Sequence, residues 1–532
     1  MKKSLVVILS MLLVLGLSVS AFALHQSAQT EYEPGVASND GVLITLGGSI
    51  RVRGELKNNT ADQNDDHSDR SAAMDSRVRI SLKAQTSKNT YGFIELENGN
   101  FDDWWWKDSD TADTYTWGAN TASWFGGPSE TGATGFYQNG NAKRGDLRIR
   151  QAYIAHQGEA LGMLTGVKAG HMLLGLGEGL FFDHTKFGDD AILVWSEIPG
   201  TDGEMAFTTI KLSEGNSAAG SGICSSCGGP TNAEADDATA YVLMASLPGD
   251  KISISGDITF LDDQDYSSGL GIAGSDTEGL HFWNFGVRAN AQPMDNLSLK
   301  ADVELQKGKA KLNRVDLSGN PADREFSGYA WLIGADLDLN DTYALNAEAA
   351  YGSGDKVDYS PAAATDPSGE KFEGFVTSLG GSQHYTYVYE YRTASAAGAK
   401  GTGLTNTWYL NLGASAKATS DISVSTDLYF LRAAKAVAIG GALNSDGTLN
   451  TSKKLGTEID AKIEYQIEKN LVYYVEGGYL FTGDAYDYPQ VCSSTSCPIP
   501  GGGSVLQGDE IPGANETSDN AYAVRNGLML SF

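Results

Sequence analysis

Cysteine, proline, histidine and long apolar runs are all scarce in these 532 residues, with only 4 Cys, 13 Pro and 7 His. Four cysteines cannot staple a chain of this length, so its stability rests on something other than a disulfide framework. Basic residues are also few, 38 against 67 acidic ones, for a net charge of -29. That balance excludes nucleic acid as a partner and disfavours docking on anionic headgroups. Beyond residue 23 nothing approaches the roughly 18 uninterrupted apolar residues of a spanning helix. The seven His lie in no G-x-S-x-G or H-E-x-x-H context, so neither a hydrolase nucleophile nor a metal-binding pair is recognisable and no enzyme is expected.

The one apolar run is at the start. Lys2 and Lys3 precede Leu5–Ser20, and Ala21-Phe22-Ala23 supplies a small-x-small cleavage site. Residues 1–23 read as a secretory signal rather than an anchor, because the run is short and the cleavage site follows at once. Residues 24–42 are expected to form a periplasmic N-terminal segment and 43–532 the body of the protein. Export without a helical span leaves a soluble periplasmic or extracellular protein, or a barrel in the outer membrane. With 64 Gly and 24 Tyr the composition favours the barrel, which uses Gly in turns and Tyr at the membrane interfaces.

What is abundant is period-two alternation. Ile50, Val52 and Leu56 alternate with Arg51, Arg53, Glu55 and Lys57, and Val78, Ile80 and Leu82 alternate with Arg77, Arg79, Ser81 and Lys83. Leu299–Leu305 and Ile459–Ile467 repeat the pattern with Lys300, Asp302 and Glu304, and with Asp460, Lys462 and Glu464. In a strand the two sets face opposite sides. The predicted strands run to about ten to fourteen residues, the length a tilted strand needs to cross a bilayer and well above the globular norm. Short turns near 87–90, 157–161, 199–203, 248–250, 292–296, 340–341, 418–421 and 468–470 alternate with long polar stretches, among them 101–144, 175–190, 354–403, 434–454 and 484–519. The expected fold is an all-β transmembrane antiparallel up-and-down β-barrel of about 18 strands, or 16 without the hairpin around Pro199. The segment 384–392 (HYTYVYEYR) is placed inside a long loop, with a barrel strand as the alternative. At the C-terminus Tyr522, Val524, Leu528, Leu530 and Phe532 share one face, and a final aromatic is similar to the signal read by the barrel-assembly machinery.

From Leu147 to Trp195 the chain resembles the central stretch of the alginate-export-like outer-membrane porins. Gln151-Ala152-Tyr153 is followed by Gly166 through Gly170 and then by Gly175-Leu176-Gly177-Glu178-Gly179. GSIRVRGEL and the RVRISLKAQ and YGFIELENG pair are also similar. The resemblance implies an eighteen-stranded barrel and passive export or uptake. One departure is His171, where the family tends to carry Arg, which weakens the case for an acidic polysaccharide.

For a pore, function lies in the lumen-facing residues and in any loop that folds inward. Arg51, Arg53, Arg77, Arg79, Lys83, Arg148 and Arg150 form the candidate basic lining, a ladder if their strands are neighbours. Asp302, Glu304, Glu458, Asp460 and Glu464 form the candidate acidic lining, and opposed walls would set a transverse field. Residues 175–190, with Asp183, His184 and Lys186, are the candidate constriction loop; the alternative is an ordinary external loop. Cys224 with Cys227 and Cys492 with Cys497 are local pairs suited to disulfides, a shared zinc site being the other reading. Trp104, Trp105, Trp106, Trp117 and Trp124 share a loop with several Asp, a surface for sugar stacking, for bridging cations or for packing at the mouth. No cofactor and no resident metal are expected. Partners are outer-membrane lipid, lipopolysaccharide, the assembly machinery through Phe532 and small polar solutes, with a homotrimer left open. Three functions remain: a diffusion porin for small hydrophilic solutes or ions, a barrel sheath for an electron-conduit or export complex, and an outer-membrane hydrolase.

Overall fold

The computed structural model describes residues 35–39, 41–60, 63–65, 70–99, 116–117, 148–185, 188–213, 238–263, 277–312, 324–355, 371–377, 385–390, 403–443, 449–491, 496–498, 504–506 and 510–532. Among these, no helix is long and apolar enough to cross a membrane, and crossing is by strands.

The chain is a closed antiparallel barrel of 18 strands. They are β1 Val42–Asn58, β2 Ser71–Ser87, β3 Thr90–Gly99, β4 Arg148–Ala160, β5 Met163–Met172, β6 Asp189–Glu197, β7 Glu204–Ser213, β8 Ala238–Leu247 and β9 Ile252–Asp263. There follow β10 Thr277–Met294, β11 Leu297–Leu312, β12 Tyr329–Asp338, β13 Tyr343–Gly352, β14 Thr407–Lys417, β15 Ile422–Leu443, β16 Leu449–Glu468, β17 Leu471–Thr482 and β18 Ala521–Ser531. Each pairs with its neighbour in sequence, and β1 pairs with β18 from Ser49↔Ser531 to Asn58↔Tyr522, closing the sheet. The hairpin around Pro199 is present as β6 and β7, paired from Asp190↔Lys211 to Glu197↔Glu204. All eight short turns read from the sequence join consecutive barrel strands. The sharpest joins β4 to β5, where Leu161 and Gly162 both take positive φ, the conformation a two-residue hairpin turn requires.

Alternation sorts the side chains. Ile80, Ile94, Ile154, Ile192, Val287, Leu305, Ile333, Ile463 and Leu528 lie on the outside and remain exposed, as suits residues whose neighbour is lipid. The buried residues are inside: Leu193, Ile210, Val242, Leu280, Phe282, Ala330 and Tyr409 pack in one cluster with chain that enters the lumen. One expectation is corrected, and the placement of 384–392 inside a loop holds for its described residues. The stretch 434–454 is not simply a long loop: β15 and β16 continue as a paired ribbon to Leu443↔Leu449, with Val437 buried. Residues 385–390 are a turn within the β13–β14 connection, not a barrel strand.

The seam depends on a close approach. The Gly48 amide donates to Phe532 O at 2.7 Å and the Phe532 amide donates back to Gly48 O at 3.0 Å. A Cβ at residue 48 would collide with Arg79 O and lie against the Phe532 ring. We therefore expect Gly48→Val to lower the fraction of refolded barrel, at about 1–3 kcal/mol of overpacking. The loss of the compact band in unheated gel electrophoresis would report it; an unchanged band would show that the seam does not need this contact.

Candidate functional site: the lumen

After β5 the chain turns into the barrel. Leu173, Leu174, Leu176, Leu180, Phe181 and Phe182 are all buried, an apolar content that an external loop could not hide from water. The segment is a miniature hairpin, with Leu176 N–H donating to Phe182 O at 2.9 Å and His184 N–H donating to Leu174 O at 2.7 Å. Gly177 at its tip has φ +55°, and a Cβ there would overlap the Arg288 guanidinium. The tip reaches the far wall. Glu178 N–H donates to Asp302 Oδ2 at 3.0 Å, Lys300 Nζ lies 3.2 Å from Glu178 Oε2, and Phe181 stacks on Phe282 with centroids 5.8 Å apart. At the near end Arg150 Nη2 donates to Thr185 O at 2.9 Å.

The three residues singled out in this segment fare differently. Asp183 Oδ1 accepts from the amide and hydroxyl of Thr185, at 3.0 and 2.6 Å, closing a local turn. His184 does not point into a channel. It is buried against Phe182, with Nδ1 2.7 Å from Asp189 Oδ2, because an imidazole between a ring and a carboxylate is better satisfied there than alone. Lys186 lies outside the described residues. His171 faces outward, with Nδ1 2.9 Å from Asp190 Oδ1.

Beneath the tip sits a buried ion cluster that sequence reading missed. Arg288 on β10 contacts Asp257 on β9 and Asp302 and Glu304 on β11; its Nε lies 3.2 Å from Asp302 Oδ2. Asn284 Nδ2 donates to Glu304 Oε2 at 2.6 Å. One guanidinium thus holds three carboxylates in a water-poor site, where removing it would leave like charges facing one another. Beside it Lys300 Nζ is 2.7 Å from Glu348, whose other oxygen accepts from Tyr409 Oη at 2.5 Å.

A second segment enters from the β13–β14 connection. Val376 N–H donates to Gln306 Oε1 at 2.8 Å, and Gln306 Nε2 donates back to Val376 O at 2.7 Å. Thr377 Oγ1 donates to Leu180 O at 3.1 Å, joining the two inward segments. Farther on, the amides of Val388 and Tyr389 donate to Glu458, the latter at 2.8 Å, and Tyr387 N–H donates to Asp460 Oδ2 at 3.0 Å. Burial pushes the phenols of Tyr385 and Tyr389 up from their ordinary value, so they stay neutral in their packing. The structure therefore brings Asp302, Glu304, Glu458 and Asp460 onto backbone amides and buried cations rather than leaving them facing open water. Glu464 stands apart, exposed and 2.9 Å from Lys462.

The basic residues occupy the other side. Arg51 and Arg77 are directly opposite in the β1–β2 register. Arg77 Nε makes no hydrogen bond among the described residues. Arg79 pairs with Glu97, and Arg150 lies 2.6 Å from Glu95 and 3.5 Å from Glu97. A register shift between Glu95 and Leu96 makes Arg150 a bulge residue, which lets it and Gln151 both reach Glu95. Arg53 is buried, Arg148 is exposed, and Lys83 Nζ sits 4.3 Å above the Tyr91 ring. The ladder is corrected in one respect: β3 lies between β2 and β4 and interleaves Glu95 and Glu97 with the arginines. On the other flank Arg525 pairs with Glu476 and lies over the Tyr387 ring at 5.4 Å.

The calls on Cys224, Cys227, Cys492, Trp104, Trp105, Trp106 and Trp124 fall outside the described residues. Cys497 is in the short strand Ser496–Pro498 and Trp117 in Thr116–Trp117, and only the backbone is described at both.

A barrel of 18 strands with lipid-facing apolar belts and a polar, loop-narrowed interior is an outer-membrane channel. The family profile described as alginate export matches residues 260–496, a little under half of the chain and beyond the 147–195 stretch that carried the sequence resemblance. Over those residues the chain is similar to the alginate-export outer-membrane porins. No curated protein matches it. Solved structures similar to it include OccAB1 of Acinetobacter baumannii, at 12% identity over 95% of this chain and 99% of that one, with a TM-score of 0.49. Another is OpdK of Pseudomonas aeruginosa, solved with vanillate, at 9% identity over 92% and 98% with a TM-score of 0.46. The channel DcaP of Acinetobacter baumannii is 13% identical over 94% and 100%, with a TM-score of 0.39. Likeness at this level says nothing of what passes through the pore.

Replacing Arg288 by Met should destabilise the folded barrel by roughly 3 to 5 kcal/mol, because three buried carboxylates lose their counter-charge. Lys462→Met, at an exposed pair, should cost less than about 1 kcal/mol. Urea titration in detergent would compare them, and equal losses would mean the cluster does not anchor the lumen.

Proposed function

We propose that this porin passes small hydrophilic solutes by diffusion and favours anions. The observation that carries the reading is where the inward segments lie. They cover the acidic side of the lumen, from β9 to β16, and their edges touch Arg150 and Arg525. The passage then runs against the wall of β1, β2 and β4, bounded by Arg51, Arg77, Arg79 and Arg148, where guanidinium groups outnumber carboxylates. Glu178 and Glu348, with Lys300 between them, form the opposite lip, so a permeating solute crosses a transverse field that orders water and slows apolar molecules. The net negative charge of the chain is a weaker influence, since loop acids beyond about 10 Å are screened by physiological salt. Arginine presents a planar fork suited to carboxylates and phosphates, so small organic acids and inorganic anions are the solutes this wall fits best.

A sheath around a separate protein is disfavoured, because two chain segments already occupy the space such a partner would need. A hydrolase needs a nucleophile in reach of an activated His. The buried His184 has Asp189 on one nitrogen and a ring against its face.

Planar bilayers held in a salt gradient test the reading. The wild type should show steady single-channel current with a reversal potential on the anion side. Arg77→Glu with Arg79→Glu and Arg148→Glu should move it toward cations, and deleting residues 175–182 should raise conductance. An absence of current would sink the porin reading, whereas an unchanged reversal potential in the triple variant would sink the arginine wall alone.

A further inference from the structure

The outward face of β9, β10 and β11 changes character near the extracellular ends, and it does so in rows. Going toward the membrane centre, the first row is Asp262, His281 and Lys309, in direct register across the three strands. The second is Phe260, Trp283 and Lys307, and the third is Ile258, Phe285 and Leu305. Val287 and Val303 follow. Trp283, Phe285, Val287, Val303 and Leu305 are each exposed on the lipid-facing side. Phe260 and Trp283 pack with centroids 4.5 Å apart, and Tyr241 of β8 extends the patch, 6.3 Å from Phe260.

Two features of these rows point to a ligand. Lys307 is exposed on the lipid side, and directly across the register from it stands Trp283, not an acid. His281 is exposed with Nε2 3.3 Å from Asp262 Oδ1, and Glu325 stands opposite Lys309, so the acids of the patch are confined to the outermost row. Two other outward pairs near the strand ends are aromatic on both strands, Tyr329 with Tyr351 and Tyr479 with Tyr522. Cations above aromatic faces above aliphatic side chains match an amphiphile in that order: anionic group, flat sugar ring, acyl chain.

We propose that Lys307, Lys309 and His281, with Trp283 and Phe260 beside Lys307 and one row below the other two, bind a phosphorylated glycolipid of the outer leaflet. The lysines take the phosphate by charge-assisted hydrogen bonds. The aromatic pair stacks on the sugar, and Phe285, Val287 and Leu305 lie along the acyl chains. The site is outside the barrel and does not rest on the anion reading of the lumen.

Native mass spectrometry of the detergent-solubilised protein, incubated with diphosphoryl lipid A, provides the test. Wild type should retain one glycolipid per chain. Lys307→Glu with Lys309→Glu should weaken retention at least about tenfold, a loss of 1.4 kcal/mol or more. Lys417→Glu, at the opposite, periplasmic end, should leave it unchanged. If the double Glu variant fails to give the compact barrel band, Lys307→Ala with Lys309→Ala replaces it and should weaken retention in the same direction. Channel conductance should be the same in all folded variants. The proposal is overturned if a folded double variant retains the lipid as well as wild type. It is equally overturned if dephosphorylated lipid A or phosphatidylglycerol is held as strongly, or if inorganic phosphate alone displaces the glycolipid.

Discussion

In hydrocarbon a backbone amide has no water to turn to, and each one left unpaired costs several kcal/mol. Everything else in this molecule follows from satisfying that demand with strands. An open sheet of eighteen strands would expose two unpaired edges to lipid. Pairing β1 with β18 removes both, and the reciprocal hydrogen bonds between Gly48 and Phe532 complete the seam at its periplasmic end. The outward side chains must then be apolar while the inward ones are free to be polar. That freedom is what makes a pore available.

The same demand acts inside the lumen on the chain that enters it. A segment inside a barrel has backbone groups of its own and no sheet to join. Here the wall supplies the acceptors. Glu458 and Asp460 take three consecutive amides of 387–389, Asp302 takes the amide of Glu178, and Gln306 both gives to and takes from Val376. Charged lumen residues are in this sense structural before they are selective. A carboxylate engaged by two amides, as Glu458 is, or by an amide and a guanidinium, as Asp302 is, has little field left to offer a passing ion.

Much of the fold was legible because its period is two and its turns are short. Alternation assigned Arg51, Arg77, Asp302 and Glu458 to one face, the eight turns set the strand count, and the three glycines with the phenylalanines of 175–190 marked a segment unlike an ordinary loop. What alternation cannot show is which inward residues meet. Arg288 lies on the inward face of β10, fourteen residues before Asp302 and thirty-one after Asp257, and only the register of three strands brings them together. The ladder reading failed at β3 for the same reason: its two glutamates could be counted but not placed. His184 was read as channel-facing because a polar residue in a polar loop usually meets water, yet the flanking Phe182 and the later Asp189 gave it a better burial. Residues 385–390 of the aromatic run HYTYVYEYR were rightly left out of the barrel, but their entry into the lumen depended on acceptors some seventy residues away.

The two inward segments are held by contrasting means, and this bears on how the pore behaves. The first is anchored by burial of six apolar side chains and by ions at its tip, interactions that are strong in a dry site and weakly sensitive to salt. The second is anchored by backbone amides on Glu458, Asp460 and Gln306 together with burial of Phe375, Val388 and Tyr389, and the Thr377 hydroxyl, donating to Leu180 O, joins it to the first. Neither segment could be displaced without exposing either apolar surface or unpaired charge, so the narrowing they create is part of the native packing and not a flap laid over it. The wall that the segments leave uncovered sets Arg51 directly opposite Arg77 across a strand pair, like charges held close by the register itself.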